Sequence, residues 1–323
     1  MRLGVVLEAF LDRTFDDTLA LVAARAPQVT DVEVGVGGFA PHPHCDVELL
    51  LHDATSRRRW VESVKDRGFD VSALNASGNP LDPDEETARR HDTDLRNAVR
   101  LAALLDVDRV VAMAGCPPGA PGDRTAHFDA GGWLPHLAGI YERQWQDALV
   151  PYWTELAEFI RREHPDLLIC IELHPGTCVY NVETFEQFAA ISRQLAVNLD
   201  PSHLFWQQMD PLAVVGALSR IGHAHAKDVV FSSDELDLNG LLDRRWNAMD
   251  ARAPWTFATV GRGHGPAWWR SFLTALGKRG VESISIEHED PTISAEQGVA
   301  DGARCLADAL AAAEHTRVGV RAR

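Results

Sequence analysis

Cysteine is scarce and unpatterned in this chain. The five cysteines, Cys45, Cys116, Cys170, Cys178 and Cys305, are odd in number and contain no CxxC pair. That argues against a disulfide framework and suits a reducing cytoplasm. Positive charge is also in deficit. Lys and Arg total 31 against 47 Asp and Glu, a formal net charge of −16. Such a surface repels phosphate backbones, and no basic run exceeds Arg57-Arg58-Arg59, so a nucleic acid partner is not expected. No stretch reaches the ~18 apolar residues that a membrane-spanning helix needs. The opening "MRLGVVLEAFLD" is interrupted by Glu8 and Asp12, too short and too charged for a signal peptide. A GxGxxG fingerprint after the first strand is missing too. The GxG patterns at Gly35 and Gly261 lie outside that context, which weighs against an open dinucleotide-binding sheet.

What the chain does have is a beat. Short apolar runs at 3–8, 31–36, 69–75, 108–115, 166–173, 195–200, 221–228 and 283–289 read as strands. Helical patterns follow them at 15–26, 46–67, 84–104, 141–163, 183–193, 211–219, 266–279 and 294–313. Eight strand–helix units in one chain of this length predict a single α/β domain over 1–313, a closed (β/α)8 TIM barrel. The charged tail 314–323 is expected to fray. Two connections, 115–140 and 229–265, are far longer than ordinary βα loops. Both follow strands, which places them on the C-terminal face as binding loops or lids.

Strand parity then assigns an inside and an outside. In "DLLICIEL" the bulky face is Leu167, Ile169, Ile171 and Leu173, which turns Glu172 and His174 inward. In "LAVNLD" the inward set holds Asn198 and Asp200; in "SISIEHE" it holds Glu287 and Glu289. In "IGHAHAKD" the polar set is His223, His225 and Lys227. Four consecutive strands thus aim Glu172, Asp200, a histidine and Glu287 into one mouth. Carboxylates cannot share a desolvated pocket without positive charge, and a divalent cation supplies it. Three oxygen donors and one imidazole suit Mn²⁺ first, with Co²⁺, Mg²⁺ or Zn²⁺ as alternatives. His225 lies nearer the strand's end and is the expected ligand; His223 is read as a core histidine one layer deeper.

The motifs "CIELHPG" (170–176), "NLDPSH" (198–203), "HAHAKD" (223–228), "TVGRGH" (259–264) and "SIEHEDP" (285–291) resemble those of the xylose-isomerase-like TIM-barrel superfamily of sugar isomerases and epimerases. The resemblance spans nearly the whole chain. It implies one divalent metal held by Glu172, Asp200, His225 and Glu287. It also implies that the two glutamates exchange protons with the sugar carbon and that His203 orients the substrate. The superfamily includes inosose dehydratases, C-glycoside deglycosidase catalytic subunits and a DNA-repair endonuclease; the acidic charge weighs against the last.

All these reactions begin by removing a proton next to a carbonyl, so the same residues serve epimerisation, isomerisation or elimination. The leading expectation is a metal-dependent sugar isomerase or epimerase. The alternatives are a lyase acting on oxidised (3-oxo) glycosides and a non-catalytic sugar-binding barrel. His174 is a candidate to protonate a leaving group. Lys227, Trp206, Arg262, His264, Glu8 and Asn75 are candidate substrate contacts, Trp206 by stacking on a sugar face. His288 is assigned to structure. A homo-oligomer or a complex with a small companion subunit is expected.

Overall fold

Branched and aliphatic side chains crowd the strand segments, and Asp, Asn or Pro stands where the helices begin. The computed structural model describes residues 1–129, 134–242 and 252–321, with side chains to 312 except that of His136. Eight strands are parallel: β1 (Arg2–Val6), β2 (Asp31–Gly35), β3 (Asp70–Asn75), β4 (Arg109–Ala112), β5 (Leu168–Glu172), β6 (Leu195–Leu199), β7 (Ile221–Ala226) and β10 (Ser283–Ile286). They close into a barrel in the order β1-β10-β7-β6-β5-β4-β3-β2. The (β/α)8 expectation holds. The main core lies between the strands' outer faces and the helices. It includes Val5, Val34, Ile169, Ile171, Val197, Ile284 and Ile286. The lumen has its own small apolar cluster of Ala73, Val111, Cys170 and Ala196, and polar residues take over above it.

Several helices differ from the periodicity reading. The expected helix 46–67 breaks at Asp53. Its carboxylate accepts from the N–H groups of Thr55 and Ser56 and starts Ala54–Lys65 afresh. The expected helix 141–163 passes through a π-helical segment, Gln144–Leu149, just before Val150–Glu163. Pro151 has no N–H to return to the preceding turn, which accounts for the widened ladder. A short helix, Pro201–Phe205, follows β6 and was not anticipated; Pro at its first position and Asp200 as its cap explain it. The last helix runs Ala295–Arg321, so helical backbone continues past 313.

The long connection after β7 is not structureless. It contains an antiparallel pair outside the barrel, β8 (Asp228–Phe231) with β9 (Trp255–Ala258), and a helix, Ser233–Asn239. Residues 243–251 of the expected lid lie outside the described residues, as do 130–133 of the other long loop. Among the described residues no helix is long and apolar enough to cross a membrane.

Candidate metal centre

Four strand ends build the site from below. Glu172 is the last residue of β5 and is buried. Asp200 follows β6. Its Oδ1 caps the helix behind it by accepting from the Ser202 N–H at 2.8 Å, and its Oδ2 is buried without a hydrogen bond. His225 lies on β7. Glu287 follows β10 and keeps one more sheet bond, its N–H donating to the Ala226 carbonyl at 3.1 Å. One donor atom from each of Glu172, Asp200, His225 and Glu287 falls within 4.8 Å of the others. His225 Nδ1 is 3.1 Å from Glu287 Oε2 and 3.4 Å from Glu172 Oε2.

The residues fit a divalent cation by their unmet needs. Asp200 Oδ2 and both ring nitrogens of His203 are buried without a hydrogen bond. His203 Nε2 lies 2.9 Å from Glu172 Oε1, within ion-pair distance but out of hydrogen-bond alignment. Lys227 Nζ partly meets the charge, at 2.7 Å from Glu287 Oε2, 3.2 Å from Asp200 Oδ2 and 3.0 Å from Glu289 Oε2. One ammonium cannot neutralise four carboxylates.

Burial alone would raise these carboxyls, but the neighbouring basic groups outweigh it at two of them. Glu172 is held well below the usual range by His203 and His225. Glu287 is held down to about 2 by Lys227 and His225. At Asp200 burial prevails over Lys227 and the carboxyl is raised. Lys227, despite its burial, is held charged by Asp200 and Glu287. His174 is pushed down to about 4, first by burial and then by His203. That shift favours the neutral imidazole, which keeps one N–H donor and one lone pair. Its Nδ1 contacts the Pro175 carbonyl at 2.5 Å.

A second polar layer lies directly beneath. Glu33 of β2 is fully buried in the lumen. His223 Nε2 approaches its Oε2 at 2.8 Å, and His225 Nε2 approaches its two oxygens at 3.0 and 3.1 Å. The Asn75 amide donates to Glu33 Oε1 at 2.9 Å. Burial would raise Glu33, but His225 and His223 more than offset it and hold the carboxyl well below its ordinary range. Glu33 escaped the sequence reading. The alternation in "DVEVGV" carried the signal, since Val32, Val34 and Val36 form the outward face and leave Glu33 inside.

Above the four converging residues is a cavity of about 270 Å³ bounded by Glu172, His174, His203, Lys227, Glu287 and Glu289 on its polar side. Its other wall is Met113, Pro175, Trp206, Trp255 and Phe257. Trp206 lies parallel to Trp255, ring centroids 4.9 Å apart, and Lys227 Nζ sits 4.6 Å from the Phe257 ring centre. Met113, Trp255 and Phe257 were not anticipated, and the last two come from the β9 strand that periodicity missed.

The remaining candidates fall elsewhere. Asn75 sits under the site, bonded to Glu33. Glu8 packs against Gly35, and burial, then Glu287 and Glu33, push it up to about 8. Arg262 pairs with Asp290 at 2.9 Å and bonds Thr292. His264 Nδ1 is 2.7 Å from Asp228, and its ring stacks on Phe205. Neither Arg262 nor His264 lines the cavity. His288 turns to the last helix as expected; a Cβ on Gly298 would lie 2.1 Å from its ring.

The comparisons agree with this architecture. The chain is 33% identical over 312 residues to the uncharacterized protein YfiH of Bacillus subtilis (strain 168), covering 95% of this chain and 98% of that protein. The probable 3-DHS dehydratase AsbF of Bacillus anthracis, involved in petrobactin synthesis, superposes with a TM-score of 0.66 at 14% identity over 95% of this chain and 99% of its own. A D-tagatose 3-epimerase-like protein gives 0.63 at 17% identity over 98% and 99%. Residues 32–309 match the family described as xylose isomerase-like TIM barrel. With barrel and family match in accord over most of its length, this chain belongs to the xylose isomerase-like TIM barrel family.

Proposed function

We propose that this chain is a divalent-metal-dependent isomerase or epimerase of sugars or sugar-like polyols. The convergence of Glu172, Asp200, His225 and Glu287 beneath a cavity of sugar size carries the reading. A divalent cation held by those four residues would polarise a substrate carbonyl and stabilise the charge formed when its neighbouring carbon loses a proton. Glu172 and Glu287, held ionised, act as base and, once protonated, as acid on the substrate carbon. His203, buried with neither ring nitrogen in a hydrogen bond, orients a hydroxyl. Trp206 and Phe257 offer apolar faces to the ring and, with Trp255, exclude water.

One observation favours a second reading. His174 stands on the cavity wall, a third group able to exchange a proton beside the two glutamates. A lyase that expels a leaving group from an oxidised glycoside would use it, and the likeness to a dehydratase points the same way. The test is proton exchange. Metal-loaded protein is incubated in deuterated water with ketoses and 3-oxo-glycosides and followed by NMR. Exchange with epimer formation supports the first reading; loss of an aglycone or water supports the second. Folded, metal-loaded protein that exchanges no carbon-bound proton across both panels would leave a binding barrel instead.

A further inference from the structure

We propose that Glu33 is the positioning residue of the metal centre, fixing which nitrogen of His225 faces the metal. The inference rests on the metal reading above. His225 meets carboxylates on both sides. Its Nε2 faces the two oxygens of Glu33 at 3.0 and 3.1 Å, and its Nδ1 faces Glu287 at 3.1 Å and Glu172 at 3.4 Å. A neutral imidazole has one proton and one lone pair. A cation among Glu172, Asp200 and Glu287 takes the lone pair at Nδ1. The proton then belongs on Nε2, and Glu33 accepts it.

Glu33 is unable to swing away. It is completely buried, its Oε1 accepts from the Asn75 amide at 2.9 Å, and its Oε2 lies 2.8 Å from His223 Nε2. It also reaches across the lumen. In the closed strand order β2 and β7 are separated by β1 and β10, so one side chain ties two non-adjacent strands under the site. A carboxylate on the far nitrogen of a ligating imidazole fixes the tautomer, locks the ring plane and strengthens the ligand. Ser285 shares this layer, its Oγ 3.1 Å from His223 Nε2, but its only hydrogen bond there is to that histidine.

The experiment separates this role from mere packing. Mn²⁺ affinity is measured by electron paramagnetic resonance for the wild type, Glu33→Gln and Ser285→Ala. Glu33→Gln should bind roughly 10–100-fold more weakly, and Ser285→Ala should stay within about twofold. In Zn²⁺-loaded protein labelled with ¹⁵N-histidine, His225 should show a proton on Nε2 and metal on Nδ1. Glu33→Gln binding as tightly as wild type overturns the inference and leaves the metal reading standing. Wild type that binds no metal overturns both. Should Glu33→Gln fail to fold, the wild-type spectrum still decides, because a proton on Nδ1 of His225 overturns the assignment.

Discussion

The two halves of the barrel divide the work unequally. β5, β6, β7 and β10 present Glu172, Asp200, His225 and Glu287 to the mouth. β2 and β3 present Glu33 and Asn75 one layer down, where they touch only protein. The difference is one of height. Glu172, Asp200 and Glu287 stand at or just past their strand ends and reach the cavity or its floor; Glu33, two residues short of the end of β2, is enclosed and finds protein partners, Asn75 among them. On the function proposed above, the later half would bind and react, and the earlier half would orient.

The harshest challenge to that division is to remove a ligand from the later half. Chelation should abolish turnover, and Mn²⁺ or Co²⁺ should restore it. Asp200→Ala should lose the metal outright, because Oδ2 has no substitute in the lumen. Full metal content in that variant by elemental analysis would remove Asp200 from the ligand set. Next comes Glu287→Gln, which keeps an oxygen donor but no proton-transfer group. Its turnover should fall by about 10²–10⁴ while most of the metal remains. Exchange of the substrate's carbon-bound proton should stop with it, and unchanged exchange would point to His174 as the base.

Asn75→Ala, in the earlier half, should cost less. It acts on the metal only through Glu33, so metal affinity should drop by roughly 3–10-fold, below the usual worth of a direct outer partner. A loss as complete as that of Asp200→Ala would erase the distinction between the halves. Joining Phe231 to Trp255 by a short turn tests the insert. The fold should persist and the preference among substrates should shift, while a preserved profile would mean that 232–254 do not shape the cavity.

An effect of a different kind is expected at Glu8, also in the earlier half, and it concerns stability alone. Its folded pKa, about 8, lies above its ordinary 4.5, so the native state holds a proton that the unfolded chain releases. The protein therefore loses stability relative to Glu8→Gln as pH rises through that window, and the gap levels off above about 8. In metal-free protein the difference should reach roughly 3–5 kcal/mol. Melting curves across that range check it; a gap that does not change with pH rules out a shared field with Glu287.

The barrel and the convergence of Glu172, Asp200, His225 and Glu287 were legible because they rest on short-range rules. Period-two alternation fixes parity, and parity fixes what points inward at Glu172, Asp200, His225 and Glu287. Lys227 was legible by the same rule, although its threefold carboxylate contact was not. The partners of Arg262 and His264 were not legible because loop residues have no parity to follow. The two side chains go to Asp290 and Asp228, partners 28 and 36 residues distant. The aromatic wall stayed hidden because Trp255 and Phe257 belong to a strand whose partner, β8, begins directly after the β7 ligand strand. Glu33 obeyed the parity rule but lay on a strand with no neighbouring motif to draw notice.

Asp228 sits one residue beyond Lys227 and gathers the far end of the long insert. Its carboxylate accepts from the N–H groups of Gly261, Gly263 and His264 at 2.9–3.1 Å. Only glycine fits at 263, since a Cβ there would lie 1.9 Å from the Val229 carbonyl oxygen. Departure and return of the insert are thus clasped at one point. Lengthening a loop between fixed ends adds little entropic cost. The segment between Phe231 and Trp255 is therefore an exchangeable cassette. Changes of length in that stretch should cost the barrel little, because the clasp at Asp228 holds its two flanks together.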